Sequence, residues 1–242
     1  MKRKPTTPAA HAMPHLRSRP LFLGADLEET VLDDEQRKEL VRIGTRLSYP
    51  ARALVYREHS DAQWVFAIAD GAVKSYRELP SGKCVVNTFL FERDLFGLAE
   101  NGRYVNSVRT ITSVTLYRLP LRELAVLLKQ DGDMQFKFLS KVTHELRESQ
   151  RRAIVLTRPD RLGRLAMFIS WMSTRFPQSN TDGEVVTLPM TRTDIAAFLG
   201  LALESVTRAA AELERRGLVK FEGRHRVCVL DRPGLNRLLA EV

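Results

Sequence analysis

Cysteine is scarce in this chain: Cys84 and Cys228 are the only two in 242 residues, and they lie far apart. That excludes a disulfide framework, an iron–sulfur cluster or a cysteine-rich zinc site, and it fits a reducing, cytoplasmic setting. Long apolar runs are missing as well. None approaches the roughly 18 residues that span a bilayer, so no membrane partner is expected. Behind the basic Lys2, Arg3 and Lys4, a stretch containing Pro and His has no hydrophobic signal core. Residues 1–20 read as a disordered basic tail. There are no internal repeats or low-complexity blocks. No nucleophile–base pair or metal-ligand cluster stands out, which argues against an enzyme and calls for no cofactor or metal.

Positive charge is in excess. Against 29 Asp and Glu stand 38 Lys and Arg, a net +9 with a pI near 9.9. Arginine concentrates toward the C-terminus, so the balance favours nucleic acid over a membrane surface as the partner. The 44% hydrophobic and 28% charged content is that of an ordinary globular protein. The length suits one large domain or two modest ones.

Asp33 to Arg46 reads as a short amphipathic helix carrying Leu40, Val41 and Ile43. From Leu47 to about Pro120 the pattern changes to short β-branched or aromatic runs. They include Trp64–Ile68, Ala72–Tyr76 and Cys84–Leu90, broken by Asp70-Gly71, Pro80-Ser81-Gly82 and Phe96-Gly97. Many short strands with regular turn signals predict a sandwich or barrel-like roll. Helical spacing returns at Leu121–Leu128 and then from Asp133 to about Thr157. In the longer segment Leu139, Val142, Leu146, Ser149, Ala153 and Leu156 alternate three and four residues apart, a heptad seam suited to a two-helix interface. Ser149 and Ala153 make its far end smaller and more closely packed. Arg158-Pro159-Asp160 breaks this helix. A further helix is expected from about Asp160 to Phe176, then a polar loop over Pro177–Gly183 and a short strand at Val185–Leu188.

The most informative run is Met190 to Arg208. Thr191 with Asp194 three residues on predicts an N-terminal capping box. Ile195, Ala196, Phe198 and Leu199 supply apolar contacts, and Gly200 permits a left-handed turn. A second helix begins near Leu203, with Val206, Ala210 and Leu213 facing inward. This is a helix-turn-helix, whose second helix contacts bases with its N-terminal residues. Here those are Glu204, Ser205, Thr207 and Arg208. Arg208 suits guanine, Glu204 the cytosine amino group and the Thr207 methyl a thymine methyl, whereas Ser205 and Arg192 suit phosphates. The plainer alternative for Glu204 and Arg208 is an i,i+4 surface pair. Leu218–Phe221 and Arg226–Leu230 flank a turn and read as a hairpin wing offering Lys220 and Arg224 to phosphates.

With roll, seam helix and winged reader in this order, the chain after its tail resembles the CRP/FNR superfamily of bacterial transcription regulators. Tyr49-Pro50, Asp70–Val73, Gly82-Lys83, Asp94–Gly97 and Arg109–Thr112 look like its β-roll landmarks, and Leu188 to Gly217 carries the strongest likeness. The resemblance implies an α+β fold: a cyclic-nucleotide-binding-like β-roll, a long dimerisation helix and a C-terminal winged helix-turn-helix. The corresponding divisions are 1–20 (tail), 21–132, 133–158 and 159–242. It also implies a homodimer that binds a palindromic DNA site and contacts RNA polymerase.

Departures narrow the type. Cyclic-AMP binders carry a glutamate just after the Phe-Gly pair and an Arg-Ser that holds the cyclic phosphate; those places hold Leu98, Tyr104 and Val105. Without that clamp the phosphate lacks a charge-assisted partner. Arg109 could substitute but fits better as the family's β-strand arginine. These four residues are the expected effector pocket. His59, in a turn, and His144, on the seam helix, are the candidate haem ligands, although neither sits in a haem-ligand pattern. His59 and Arg93 also stand where two roll turns would carry glycine. Leu203-Glu204-x-x-Thr207-Arg208 is similar to the fumarate–nitrate and FixK type, which implies a TTGA(T/C)-type inverted repeat. Ala202 replaces the Ser or Thr expected as N-cap, at a cost of about 1 kcal/mol. Two rivals remain beside an activator of this kind: a β-roll sensor gated by haem or an untypical small molecule, and a signalling subunit that regulates a partner protein.

Overall fold

The computed structural model describes residues 32–97, 99–158, 160–175, 178–180 and 183–240. The tail expected at 1–20 and the pocket residue Leu98 lie outside them. Helix α1 (Asp34–Ile43) starts from a capping box in which Asp33 Oδ1 accepts from Gln36 N at 2.9 Å and Gln36 Oε1 from Asp33 N at 3.3 Å. It is shorter than its periodicity predicts. Gly44 turns the backbone extended, and Arg46 joins the first strand.

The strands that follow are β1 (Thr45–Tyr49), β2 (Leu54–Tyr56), β3 (Trp64–Asp70), β4 (Val73–Glu78) and β5 (Cys84–Leu90). Then come β6 (Leu95–Phe96), β7 (Ala99–Glu100), β8 (Arg103–Tyr104), β9 (Ser107–Thr110) and β10 (Val114–Pro120). They form two antiparallel sheets, β1-β10-β3-β6 and β2-β9-β4-β5, with β7-β8 as a small ribbon. Alternation sends Phe66, Ile68, Val73, Leu90, Val108 and Leu116 into the space between the sheets. Rings fill much of it: Tyr56 stacks on Tyr104 with centroids 3.7 Å apart, and Phe66 on Phe96 at 5.1 Å. His59 and Arg93 adopt the left-handed backbone (φ 64° and 69°) that glycine would take without strain.

Helix α2 (Leu121–Gln130) buries Leu124 and Leu127 beside α1. Asp131 then caps the long α3 (Gly132–Thr157), accepting from Met134 N at 2.9 Å. After the break at Arg158 comes α4 (Arg161–Arg175). Where a polar loop was expected, β11 (Gln178–Asn180) pairs antiparallel with β12 (Gly183–Thr187). A polar segment can serve as an edge strand because its main chain supplies the bonds. The chain then forms α5 (Arg192–Leu199), α6 (Leu203–Arg215), β13 (Val219–Glu222) and β14 (Arg226–Val229), giving the sheet order β11-β12-β14-β13. It ends on α7 (Arg232–Ala240), which the sequence reading did not anticipate. The start of α7 is tied down by Arg232, whose Nε donates to Glu184 Oε2 at 3.0 Å and Nη1 to Ser170 Oγ at 3.3 Å.

One apolar cluster runs through the junction. It joins Tyr76, Val86 and Phe89 of the roll to Phe168 of α4 and Phe198 of α5. The reader is therefore docked on β4 and β5 as well as joined to α3 through the Arg158 break.

Candidate nucleic-acid interface

The capping box at α5 forms: Thr191 Oγ1 accepts from Asp194 N at 3.1 Å, and Asp194 Oδ2 accepts from Thr191 N at 3.2 Å. Asp194 has a second role that no local signal announces. Lys74, on β4, donates to its other carboxylate oxygen, and both side chains are largely buried. Burial alone would raise the Asp194 carboxyl pKa, but the hydrogen bonds from Lys74 and Thr191 carry it below the ordinary value. At the other end, Gly200 takes the left-handed conformation (φ 64°, ψ 30°) that closes α5 and starts the turn.

Helix α6 starts at Leu203 without a side-chain cap, because Ala202 offers no acceptor. Val206, Ala209, Ala210 and Leu213 are buried on the body of the reader. The opposite face carries Glu204, Thr207 and Arg208, all exposed, with Ser205 half-buried. Among the described residues, neither Glu204 nor Arg208 makes an ion pair or side-chain hydrogen bond, so the surface-pair alternative does not hold. Thr207 Oγ1 donates back to Leu203 O at 3.0 Å, which commits its hydroxyl and leaves its methyl outward. Farther along, Arg215 and Arg216 both bond Glu212; they hold its carboxyl at about 2 and are engaged with it.

The hairpin of β13 and β14 lies beside this face. Lys220 and Arg224 are exposed on it, and Arg192 sits with its guanidinium 5.5 Å from the Phe221 ring centroid. His225 is structural here: its main chain and ring nitrogen both meet Leu188 O or N. The arrangement brings Arg192 of the first reader helix next to the wing, with the free face of α6 exposed.

Three arginines fix the reader to the long helix through main-chain carbonyls. Arg152 Nη1 donates to Asn87 O at 2.8 Å, and its Nη2 to Phe198 O at 3.3 Å. Arg164 donates to Leu199 O and Leu156 O, each at 3.0 Å. Arg158 donates to Leu238 O at 2.8 Å and Leu239 O at 3.3 Å. Cations at helix C-termini complement the unpaired carbonyls and the helix dipole there. Gly163 makes room for this: a Cβ on it would lie 2.7 Å from Arg158 Nη2 and from the Asp160 carboxylate. Sequence periodicity marked none of these anchors, because each bond depends on tertiary placement.

Along α3, Leu139 is 61% exposed and Leu146 59%; Val142, Ser149 and Ala153 are also exposed, and Leu156 is half-buried. Phe136 and Ile154, which the heptad reading omitted, are exposed on the same helix.

Three of the four residues expected at an effector pocket, Tyr104, Val105 and Arg109, are described. Tyr104 is buried in the roll, where its hydroxyl donates to Trp64 O at 2.9 Å. Val105, the next residue, is 40% exposed. Arg109 points elsewhere, donating to Arg52 O at 3.1 Å and lying 5.9 Å from the Tyr76 ring centroid. Tyr104 ends β8, Val105 lies in the bend that follows and Arg109 on β9, so the three side chains have different surroundings. His59 is exposed in its turn, 3.4 Å from Glu58, and the His144 side chain lies outside the described set. Among the described residues no group of His, Cys, Asp and Glu could hold a metal. Burial raises the pKa of both free thiols. No described helix is long and apolar enough to cross a membrane.

Comparison with known proteins agrees with this geometry. Residues 46–131 match the cyclic nucleotide-binding domain family, and residues 163–238 match the Crp-like helix-turn-helix domain family. The chain is 26% identical to the nitrogen fixation regulation protein FixK of Azorhizobium caulinodans, over 97% of this chain and 94% of that one. It is 27% identical to the transcriptional activator protein anr of Pseudomonas aeruginosa, over 88% and 86% respectively. The structure of FixK2 from Bradyrhizobium japonicum superposes with a TM-score of 0.76 at 28% identity, covering 83% of this chain and 99% of that one.

Proposed function

Because the chain belongs to the CRP/FNR superfamily of transcription regulators, a family of DNA-binding proteins and not of enzymes, we propose that it acts as a homodimeric activator reading a TTGA(T/C)-type inverted repeat. The observation that carries this reading is the exposed face of Glu204, the Thr207 methyl and Arg208 on a helix whose other side is buried. Arg208 donates to guanine, Glu204 accepts from cytosine and the Thr207 methyl meets a thymine methyl. Ser205, Arg192, Lys220 and Arg224 hold phosphates.

The exposed apolar residues of α3 support pairing of two copies along Leu139, Val142, Leu146, Ser149, Ala153 and Leu156. Pairing there sets two reader helices about one DNA turn, roughly 34 Å, apart. The functional divisions we infer are 21–132 for sensing, 133–158 for pairing and 159–242 for reading. RNA polymerase is the proposed protein partner, in the cytoplasm, and activation follows the relatives' names. Fluorescence anisotropy with palindromic and scrambled duplexes tests the reading. Selective binding by a dimer is expected; equal affinity for both duplexes, or a monomer at operator-binding concentrations, removes it.

A second reading adds gating by a small molecule. It is favoured by a cavity of about 380 Å3 where roll, long helix and reader meet.

A further inference from the structure

Arg192 opens α5, and the fold fixes its backbone before any DNA arrives. Thr191 and Asp194 close the capping box around it, and Lys74 fastens Asp194 to the roll. The side chain beyond is long and exposed, and it makes no ion pair or side-chain hydrogen bond among the described residues. An unrestrained arginine must give up rotamer freedom to grip a phosphate. Here a ring already limits that freedom. The Arg192 guanidinium lies over the Phe221 ring, 5.5 Å from its centroid.

Phe221 is itself held in place. Along β13, Val219 is buried and Phe221 is half-buried against the apolar core of the reader, whereas Lys220 and Glu222 are exposed. Its strand partner on β14 is the buried Val227. Its main-chain N–H donates to Glu214 Oε1 at 2.8 Å, which ties this point of the wing to the last turn of α6. The ring is thereby anchored to the helix whose free face carries Glu204 and Arg208, and it touches the arginine of the helix before it. A cation over a ring keeps its donors. The N–H groups lie in the guanidinium plane, and attraction to the ring face consumes none of them.

We propose that Phe221 is a positioning residue for DNA binding: its ring holds the Arg192 guanidinium ready for a backbone phosphate and sets that contact at a fixed place relative to α6. This rests on the reading of Arg192 as a phosphate contact. An aliphatic side chain at 221 would still pack the wing but would offer the cation no ring face. A tyrosine would offer both.

A double-mutant cycle in the full-length protein tests this, read by fluorescence anisotropy on palindromic and scrambled duplexes across a salt series. Arg192→Ala should weaken both complexes and flatten their salt dependence by about one phosphate per reader. Phe221→Leu should weaken both by about ten-fold where two readers bind, roughly three-fold for each arginine left unplaced. In the Arg192→Ala background the same change should cost no more than about two-fold. Phe221→Tyr should bind as the wild type does. A ring that only packs the wing would instead lower binding equally in both backgrounds. Undiminished binding by Phe221→Leu, an equal loss with and without Arg192, or a loss in Phe221→Tyr as large as in Phe221→Leu overturns the proposal. If Arg192→Ala binds as tightly as wild type with the same salt dependence, the phosphate contact is removed, and the role of Phe221 with it. Both duplexes carry the same phosphates, so a loss of selectivity would count against the proposed operator and not against this cycle.

Discussion

Helices α3 and α6 each expose a face to solvent, and the faces differ in kind. The long helix α3 presents Phe136, Leu139, Leu146 and Ile154, side chains that water solvates poorly. The reader helix α6 presents Glu204, Thr207 and Arg208, groups that lose little in water and gain on a polar, charged partner. The first face calls for another apolar surface, which in the proposed dimer a second copy of the same seam supplies. The second calls for a groove edged with hydrogen-bonding bases and bordered by phosphate. Chemistry, not exposure alone, distinguishes the partners.

The contrast is broken most severely by placing a charge on the apolar face. Leu146→Glu should dissociate the pair, measured by analytical ultracentrifugation. With the two readers unlinked, operator affinity should fall on the order of 100-fold or more while the fold persists by circular dichroism. Next comes Arg208→Ala, expected to cost about 1–3 kcal/mol of operator binding and to relax selectivity at one base pair, without changing dimerisation. A Leu146→Glu protein that remains dimeric, or an Arg208→Ala protein as selective as wild type, would erase the assigned difference between the faces.

Smaller effects sharpen it. Lys74→Met strands Asp194 largely buried, so urea denaturation should show a loss of about 1–2 kcal/mol, below the figure for a fully buried pair. The Glu212 carboxyl gives the smallest effect. Its pKa is about 2 in the fold against 4.5 ordinarily, so its stabilising contribution is present above about pH 4.5 and fades as pH falls toward 2. Between pH 5 and 8 it should leave DNA binding unaltered, and carbon-13 detected titration of its side chain should show no inflection there.

How much of this was readable in advance follows the range of the interactions. Thr191, Asp194 and Gly200 act within one helical turn, so the capping box, the left-handed closure and the start of α6 at Leu203 were legible. Strand content was legible from alternation, and the long helix from its spacing. Segment α7 was missed because its anchors, Glu184 and Ser170, are distant in sequence. Of the residues expected at the effector pocket, Tyr104 ends β8 and is buried whereas Val105, in the bend after it, is 40% exposed, a difference that no spacing in the sequence marks. The cavity lining comes from residues as far apart as Ser75 and Phe198, a grouping that only the folded junction creates.

The double engagement of Asp194 carries a further consequence. One carboxylate closes the first turn of α5 and also fastens that turn to the roll through Lys74. Fraying of α5 and undocking of the reader are thereby merged into a single cooperative event, so hydrogen exchange at the amides of Asp194 and Ile195 should report the opening of the whole joint.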